Sequence, residues 1–221
     1  MIDKIEFNLF GYALLEPMAM ITNGIVVMSC LLAFTRMKHA RLIHWRIFFI
    51  LFALASFFGG LSHLFWNYWE FYGKIAPWFF GVLATSFLTY AMVDLFRFDA
   101  RTNNILSMII GLKAALILFF AYANWNFLFV AVDTIGSLLL TCGLGSWFLY
   151  SKRALSSARF ISYGVLVMLP AALIFLLRFD LHRWMNREDL SHILIAIGLL
   201  FFAKFGTSYA LDETKKNPRN N

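Results

Sequence analysis

The chain has 221 residues, 61% of them apolar and 14% charged, with a mean hydropathy of +0.72. Soluble domains carry about 25% charged and 45–50% apolar residues, so an ordinary soluble globule is excluded, and 26 Phe, 7 Trp and 8 Tyr exclude a disordered chain. The net charge of +7 falls on short stretches beside apolar runs, where Lys and Arg mark loops and lipid headgroups rather than a nucleic-acid surface.

A bilayer core of about 30 Å takes roughly 20 mostly apolar residues per helix. Seven segments meet that length: 9–34, 44–66, 76–96, 103–123, 127–150, 160–177 and 189–211. They predict an all-α integral membrane protein, one seven-helix domain over 1–221 with a flexible tail at 212–221. The start, MIDKIEF, lacks the basic region of a cleaved signal, so the first helix is expected to stay. Predicted helix 1 places Glu16 about eight residues inside the apolar run. Helix 2 carries Gly59, Gly60 and Ser62 just before His63, near its end. Helix 4 has Lys113 at its middle, and helix 5 has Asp133 six or seven residues in, followed by Gly136, Gly143 and Gly145. Helix 7 opens on Glu188, Asp189 and His192 and carries Lys204 in its second half. Cys30 and Cys142 both lie in apolar runs, which offers no disulfide framework.

Basic residues set the predicted orientation. Twelve fall after helices 1, 3 and 5 and in the tail, against five on the other side (Lys4, Lys74, Arg178, Arg183 and Arg187). The positive-inside rule then puts the N-terminus outside and the C-terminus in the cytoplasm, with Trp66, Trp69, Trp78, Trp125 and Trp184 as an outer aromatic belt.

An ionisable side chain in a span is costly unless it is paired, protonated, metal-bound or wet, so each is a candidate for function. Glu16, His63, Asp133, Asp189 and His192 fall at one depth, in the outer third. Asp189 and His192, three apart, share a helix face. Two imidazoles with nearby carboxylates suit Zn²⁺, which accepts His nitrogen and carboxylate oxygen and keeps a position for water when catalytic. Each residue also has a plain structural reading: Asp189 at a helix start favoured by the dipole, a His as a packing or interfacial side chain, Glu16 as a bond to a neighbouring helix.

Three stretches resemble a known superfamily. Glu16-Pro17-Met18-Ala19-Met20-Ile21-Thr22-Asn23 is similar to the Glu…Asn spacing of alkaline ceramidases, Gly59-Gly60-Leu61-Ser62-His63 to their stretch ending in a zinc-binding His, and Asp189-Leu190-Ser191-His192-Ile193-Leu194 to their His-Ile-Leu segment. The superfamily, CREST, also holds the progestin and adipoQ receptors and proteins of GPI-anchor remodelling. Small bacterial membrane proteins look similar too, which implies a bacterial inner membrane or its equivalent. By position the resemblance implies His63 and His192 as zinc ligands, with Asp189 or Glu188 as the third, because Glu188 stands where the family has its first helix 7 His. Gly59 stands where the family has Ser, with Ser62 adjacent, and the family's Asp beyond the helix 2 His has no counterpart near 74–78.

The leading expectation is a zinc-dependent membrane hydrolase cleaving an amide or ester bond of a lipid, with metal on His63, His192, Asp189 or Glu188, and Glu16, Asp133 and Ser62 as candidate catalytic groups. A metal-bearing receptor or binding protein is the alternative. A retinal protein using Lys204 and a transporter using Lys113, Asp133 and Lys204 are further classes. Lys113 is expected to pair with a carboxylate or line a wet cavity, and Lys204 to snorkel.

Overall fold

The computed structural model describes residues 5–216. Seven helical stretches in it are long and apolar enough to cross a membrane, as the composition requires. The first surprise comes before them. Glu6–Leu9 (β1) and Tyr12–Leu15 (β2) form an antiparallel hairpin with Leu9 opposite Tyr12. Its two-residue turn, Phe10-Gly11, has φ of 50° and 83°, the double positive φ that matches the twist of paired strands. The helix expected from residue 9 therefore begins only at Pro17, as α1 (Pro17–Arg36). Proline suits a first helical position, where its missing N–H is not needed, and it disfavours helix in the residue before it.

The remaining elements follow as α2 (Ile43–Leu64), a short α3 (Trp66–Trp69) with a 3-10 run over Glu70–Lys74, α4 (Ile75–Phe96) and α5 (Ala100–Ala123). Then come α6 (Leu128–Gly136), a π-helical stretch over Ser137–Leu144, α7 (Gly145–Arg153), α8 (Ala158–Leu176) and α9 (Arg187–Lys216). Asp99 caps α5, its carboxylate accepting the Thr102 N–H. The tail expected to be loose from 212 is instead the last turn of α9 as far as 216; residues 217–221 lie outside the described part. Asp212 accepts from Ser156 Oγ and from the Ser157 N–H, and Glu213 accepts from Arg41 and Arg97, so the end of α9 fastens three interhelical connections.

Six of the spans close a ring, in the order α1, α2, α4, the α6–π–α7 span, α8 and α9, which packs back on α1; α5 stands outside it, against α4 and α6. In lipid, helices associate through close packing rather than exclusion of water. The tightest crossing joins α8 to α9: a Cβ on Gly164 would lie 2.8 Å from the Gly198 carbonyl oxygen, and one on Gly198 would lie 2.9 Å from that of Gly164. Gly136, read from the sequence as a packing glycine, has no atom near its Cβ position. The larger apolar cluster, with Trp45, Phe49, Phe202 and Phe205 fully buried in it, fills the half of the ring near the end of α9. The other half, at the start of α1 and α9, holds polar side chains.

Candidate functional site

Glu16 lies at the N-cap of α1, not eight residues within it, because the hairpin takes up the preceding segment. Its backbone is left-handed (φ 48°, ψ 60°), a conformation costing an L-residue roughly 1–2 kcal/mol. The hairpin holds it there through the Glu16 N–H bonded to the Ile5 carbonyl. From that position one carboxylate oxygen accepts from His63 Nδ1 on α2 at 2.9 Å, and the other from Asn186 Nδ2 at 3.2 Å. Side-chain exposure is 10% for Glu16 and 16% for His63. A carboxylate on Nδ1 fixes the imidazole tautomer and turns Nε2 toward the interior of the site.

Two groups of opposite charge meet that Nε2. Lys74 Nζ is 3.0 Å away and Glu188 Oε2 is 3.1 Å away. Lys74 comes back to α2 because the aromatic strap over residues 66–74 folds onto the helix end. A Cβ on Gly73 would sit 3.2 Å from Ser62 Cβ, so the strap rests directly on Ser62. The hairpin lies over the same end, with the Ala13 N–H donating to Tyr68 Oη and Asn67 Nδ2 to the Ala13 carbonyl. Trp66, Trp78 and Trp125 of the predicted aromatic belt pack with Phe71 around the strap.

The start of α9 is built as a reciprocal cap. Asn186 Oδ1 accepts the N–H groups of Glu188 and Asp189, while Asp189 Oδ2 accepts the Asn186 N–H. The other Asp189 oxygen takes the Thr22 hydroxyl at 3.1 Å. Thr22 Oγ1 is also 3.1 Å from His192 Nδ1. A hydroxyl has one hydrogen, and the carboxylate is the strongest acceptor in reach, so Thr22 donates to Asp189 and accepts from His192 Nδ1–H. That leaves Nε2 of His192 with its lone pair, and among the described residues no hydrogen bond reaches it. Asn23, which donates to the Ala19 carbonyl, flanks the same ring at 3.4 Å.

Of the residues singled out in the sequence, Glu16 and Glu188 each contact His63, and Asp189 and His192 are joined to them through Thr22, Asn186 and the α9 cap. Ser62 and Asp133 are not brought in. Ser62 is fully buried, its hydroxyl donating to the Gly59 carbonyl under the strap. Asp133 belongs to a second cluster: it accepts from Lys113 Nζ at 2.5 Å and from Thr85 Oγ1 at 2.6 Å, while Lys113 also donates to Ser137 Oγ at the start of the π stretch. Lys113 has the carboxylate expected for it, and that carboxylate is spent there. Lys204 is exposed on α9, on the outside of the ring rather than facing an interior chromophore. The sequence does not single out Thr22, Asn186 and Lys74 as site residues. Asn186-x-x-Asp189 is a legible cap signal, whereas Lys74 carries no local mark that sets it apart from the other loop charges.

Zinc bonds to His and carboxylate run about 2.0–2.2 Å, which sets tetrahedral neighbours about 3.3 Å apart. His63 Nε2 and Glu188 Oε2 meet that spacing, and Glu188 and His192 lie one turn apart on α9. Even so, the residues as arranged do not fit the ion. Among the described residues no three His, Cys, Asp or Glu side chains converge as a metal-binding group. The Lys74 ammonium stands against the one His63 nitrogen able to coordinate, and both oxygens of Asp189 serve the α9 cap and Thr22.

Residues 18–209 match a family described as a family of unknown function (DUF6962), and the chain belongs to that family. No curated protein and no solved structure matches it.

Proposed function

We propose that this is a multi-pass membrane protein that hydrolyses an amide or ester bond of a lipid, with the Glu16–His63 pair as its acid–base centre. The observation that carries the reading is the 2.9 Å contact between Glu16 and His63 Nδ1, which holds the ring and presents Nε2 as the base. Nε2 takes a proton from water as the water oxygen adds to the lipid carbonyl carbon. When the tetrahedral intermediate collapses and the C–N or C–O bond breaks, that proton passes to the departing amine or alcohol. Glu16 stabilises the imidazolium between the two transfers. The bias of basic residues toward the opposite end of the bundle orients the site to the outer leaflet.

The test is release of fatty acid from N-acyl sphingoid lipids and diacyl phospholipids by the protein in detergent. Release that is lost in His63→Ala and Glu16→Gln, and kept in Ser62→Ala, supports the reading; no release from any of these lipids overturns it. A zinc-bearing protein using His63, Glu188 and His192, as hydrolase or as receptor, is the second reading. The 3.1 Å edge between His63 Nε2 and Glu188 Oε2 favours it, and it requires Lys74 to leave Nε2. Mass spectrometry of the purified protein separates the two: about one zinc per chain that disappears in His63→Ala selects the second.

A further inference from the structure

The contact between His63 Nε2 and Glu188 Oε2 poses a problem that the Glu16 contact sharpens. With Nδ1–H given to Glu16, a neutral His63 presents a lone pair at Nε2, and a carboxylate oxygen 3.1 Å away presents another. Two acceptors facing each other at that distance repel unless a proton or a neighbouring cation offsets them. Lys74 Nζ, 3.0 Å from the same nitrogen, brings one. Its position is secured twice, by the strap seated on Ser62 through Gly73 and by the Trp66 ring, whose centroid is 5.7 Å from the ammonium.

We propose that the Lys74 ammonium is the resident cation of this site, occupying the place on His63 Nε2 that a metal ion would take, and that it is the group that receives the carbonyl oxygen of the ligand. The inference deepens the hydrolase reading and, for its second half, rests on it. Before substrate arrives, a Lys74 N–H is donated to Nε2 and the base is covered. A lipid carbonyl oxygen offers that N–H another acceptor. The lone pair of Nε2 is thereby released to water in the same event that polarises the carbonyl. No metal and no added co-reactant is needed, since water supplies both the hydroxyl and the proton. A tethered ammonium is retained where a bound ion can be stripped, so the activity is indifferent to chelators.

The two halves are tested separately. Zinc is titrated into the purified full-length protein, and bound metal is measured after desalting for wild type, Lys74→Met, Lys74→Gln and the double variant His63→Ala/Lys74→Met. The expected result is little zinc on wild type, about one per chain on either single variant, and none on the double. Equal zinc on wild type and Lys74→Met overturns the proposal, and so does a folded Lys74→Met and Lys74→Gln pair that takes no zinc. Should neither variant elute as a monodisperse species, stoichiometric zinc on wild type, absent from His63→Ala, overturns it alone. Turnover then tests the second half. Fatty-acid release survives EDTA in wild type and falls about 10²–10³-fold in Lys74→Met, the usual loss for one donor to a developing oxyanion; loss of wild-type activity in EDTA overturns that half. A protein that cleaves no lipid removes the hydrolase reading, while the zinc titration still decides what fills the cation position.

Discussion

The molecule holds two polar clusters inside an apolar bundle, and they are built on opposite principles. Around Asp133 the partners match: one ammonium and one hydroxyl donate to one carboxylate, and Ser137 takes another hydrogen of Lys113. Asp133 is 2% exposed in its side chain, and its cluster joins α4, α5 and α6. Around His63 the partners compete, because a donor and an acceptor share one nitrogen, and the residue that orients the ring sits in a strained left-handed backbone. A saturated cluster holds helices together. Partners that compete for one nitrogen can exchange on it, which is what the proposed acid–base role requires.

Substitutions break this contrast in graded ways. His63→Gln should lower lipid turnover by about 10²–10⁴-fold, the usual worth of a positioned acid–base group, while shifting the melting point little. Asp133→Leu should do the reverse. Leaving Lys113 without its counterion costs about 3–5 kcal/mol, read as a lower denaturation midpoint in detergent, and turnover per folded molecule stays near wild type. The double variant Lys113→Met/Asp133→Leu should recover most of that loss, since removing both partners leaves no buried charge; a double variant as unstable as the single one sinks the account of this cluster. Thr22→Val removes a hydroxyl that Asp189 and His192 share, and should cost about 1–3 kcal/mol as unmet polar groups, measured in the same unfolding assay. The smallest effect belongs to the cap of α5. The Thr102 N–H and hydroxyl hold the Asp99 carboxyl below its usual range, so its stabilising contribution is present above the unfolded-state value and fades as pH falls through the folded one. Asp99→Ala should therefore narrow the gap in melting point between neutral and acid pH, and an unchanged gap would show that this cap is silent.

The spans were legible because apolar length and flanking charge are local properties. Asp133 lies near the start of its helix, and Asp189 and His192 near the start of theirs, as the apolar runs predict. What escaped the sequence was tertiary. Leu9 to Leu15 reads as a continuation of the apolar run, since Phe10-Gly11 lacks the Asn-Gly or Asp-Gly signature of a two-residue turn; Pro17 was the one available sign that the helix starts late. The sequence consequently puts Glu16 too deep, and its contact with His63 is visible only in the fold. The π stretch over Ser137–Leu144 has no composition of its own. Depth along a helix groups Asp133 with the His63 cluster but says nothing about which face it turns, and Lys113, on the helix outside the ring, holds it instead. Lys74 reads only as a loop charge because nothing local reveals that the strap returns to α2.

The pairing of Lys113 with Asp133 also bears on biogenesis. The two charges lie on α5 and α6, consecutive helices joined by a turn over residues 124–127, so the counterion is covalently close from the moment of synthesis. For a chain that crosses a bilayer, such a hairpin enters lipid with its ammonium and carboxylate already neutralising each other, and neither has to wait for the ring to assemble. Asp133→Leu should accordingly lower the yield of inserted protein in the cell, upstream of any loss in the stability of the finished fold.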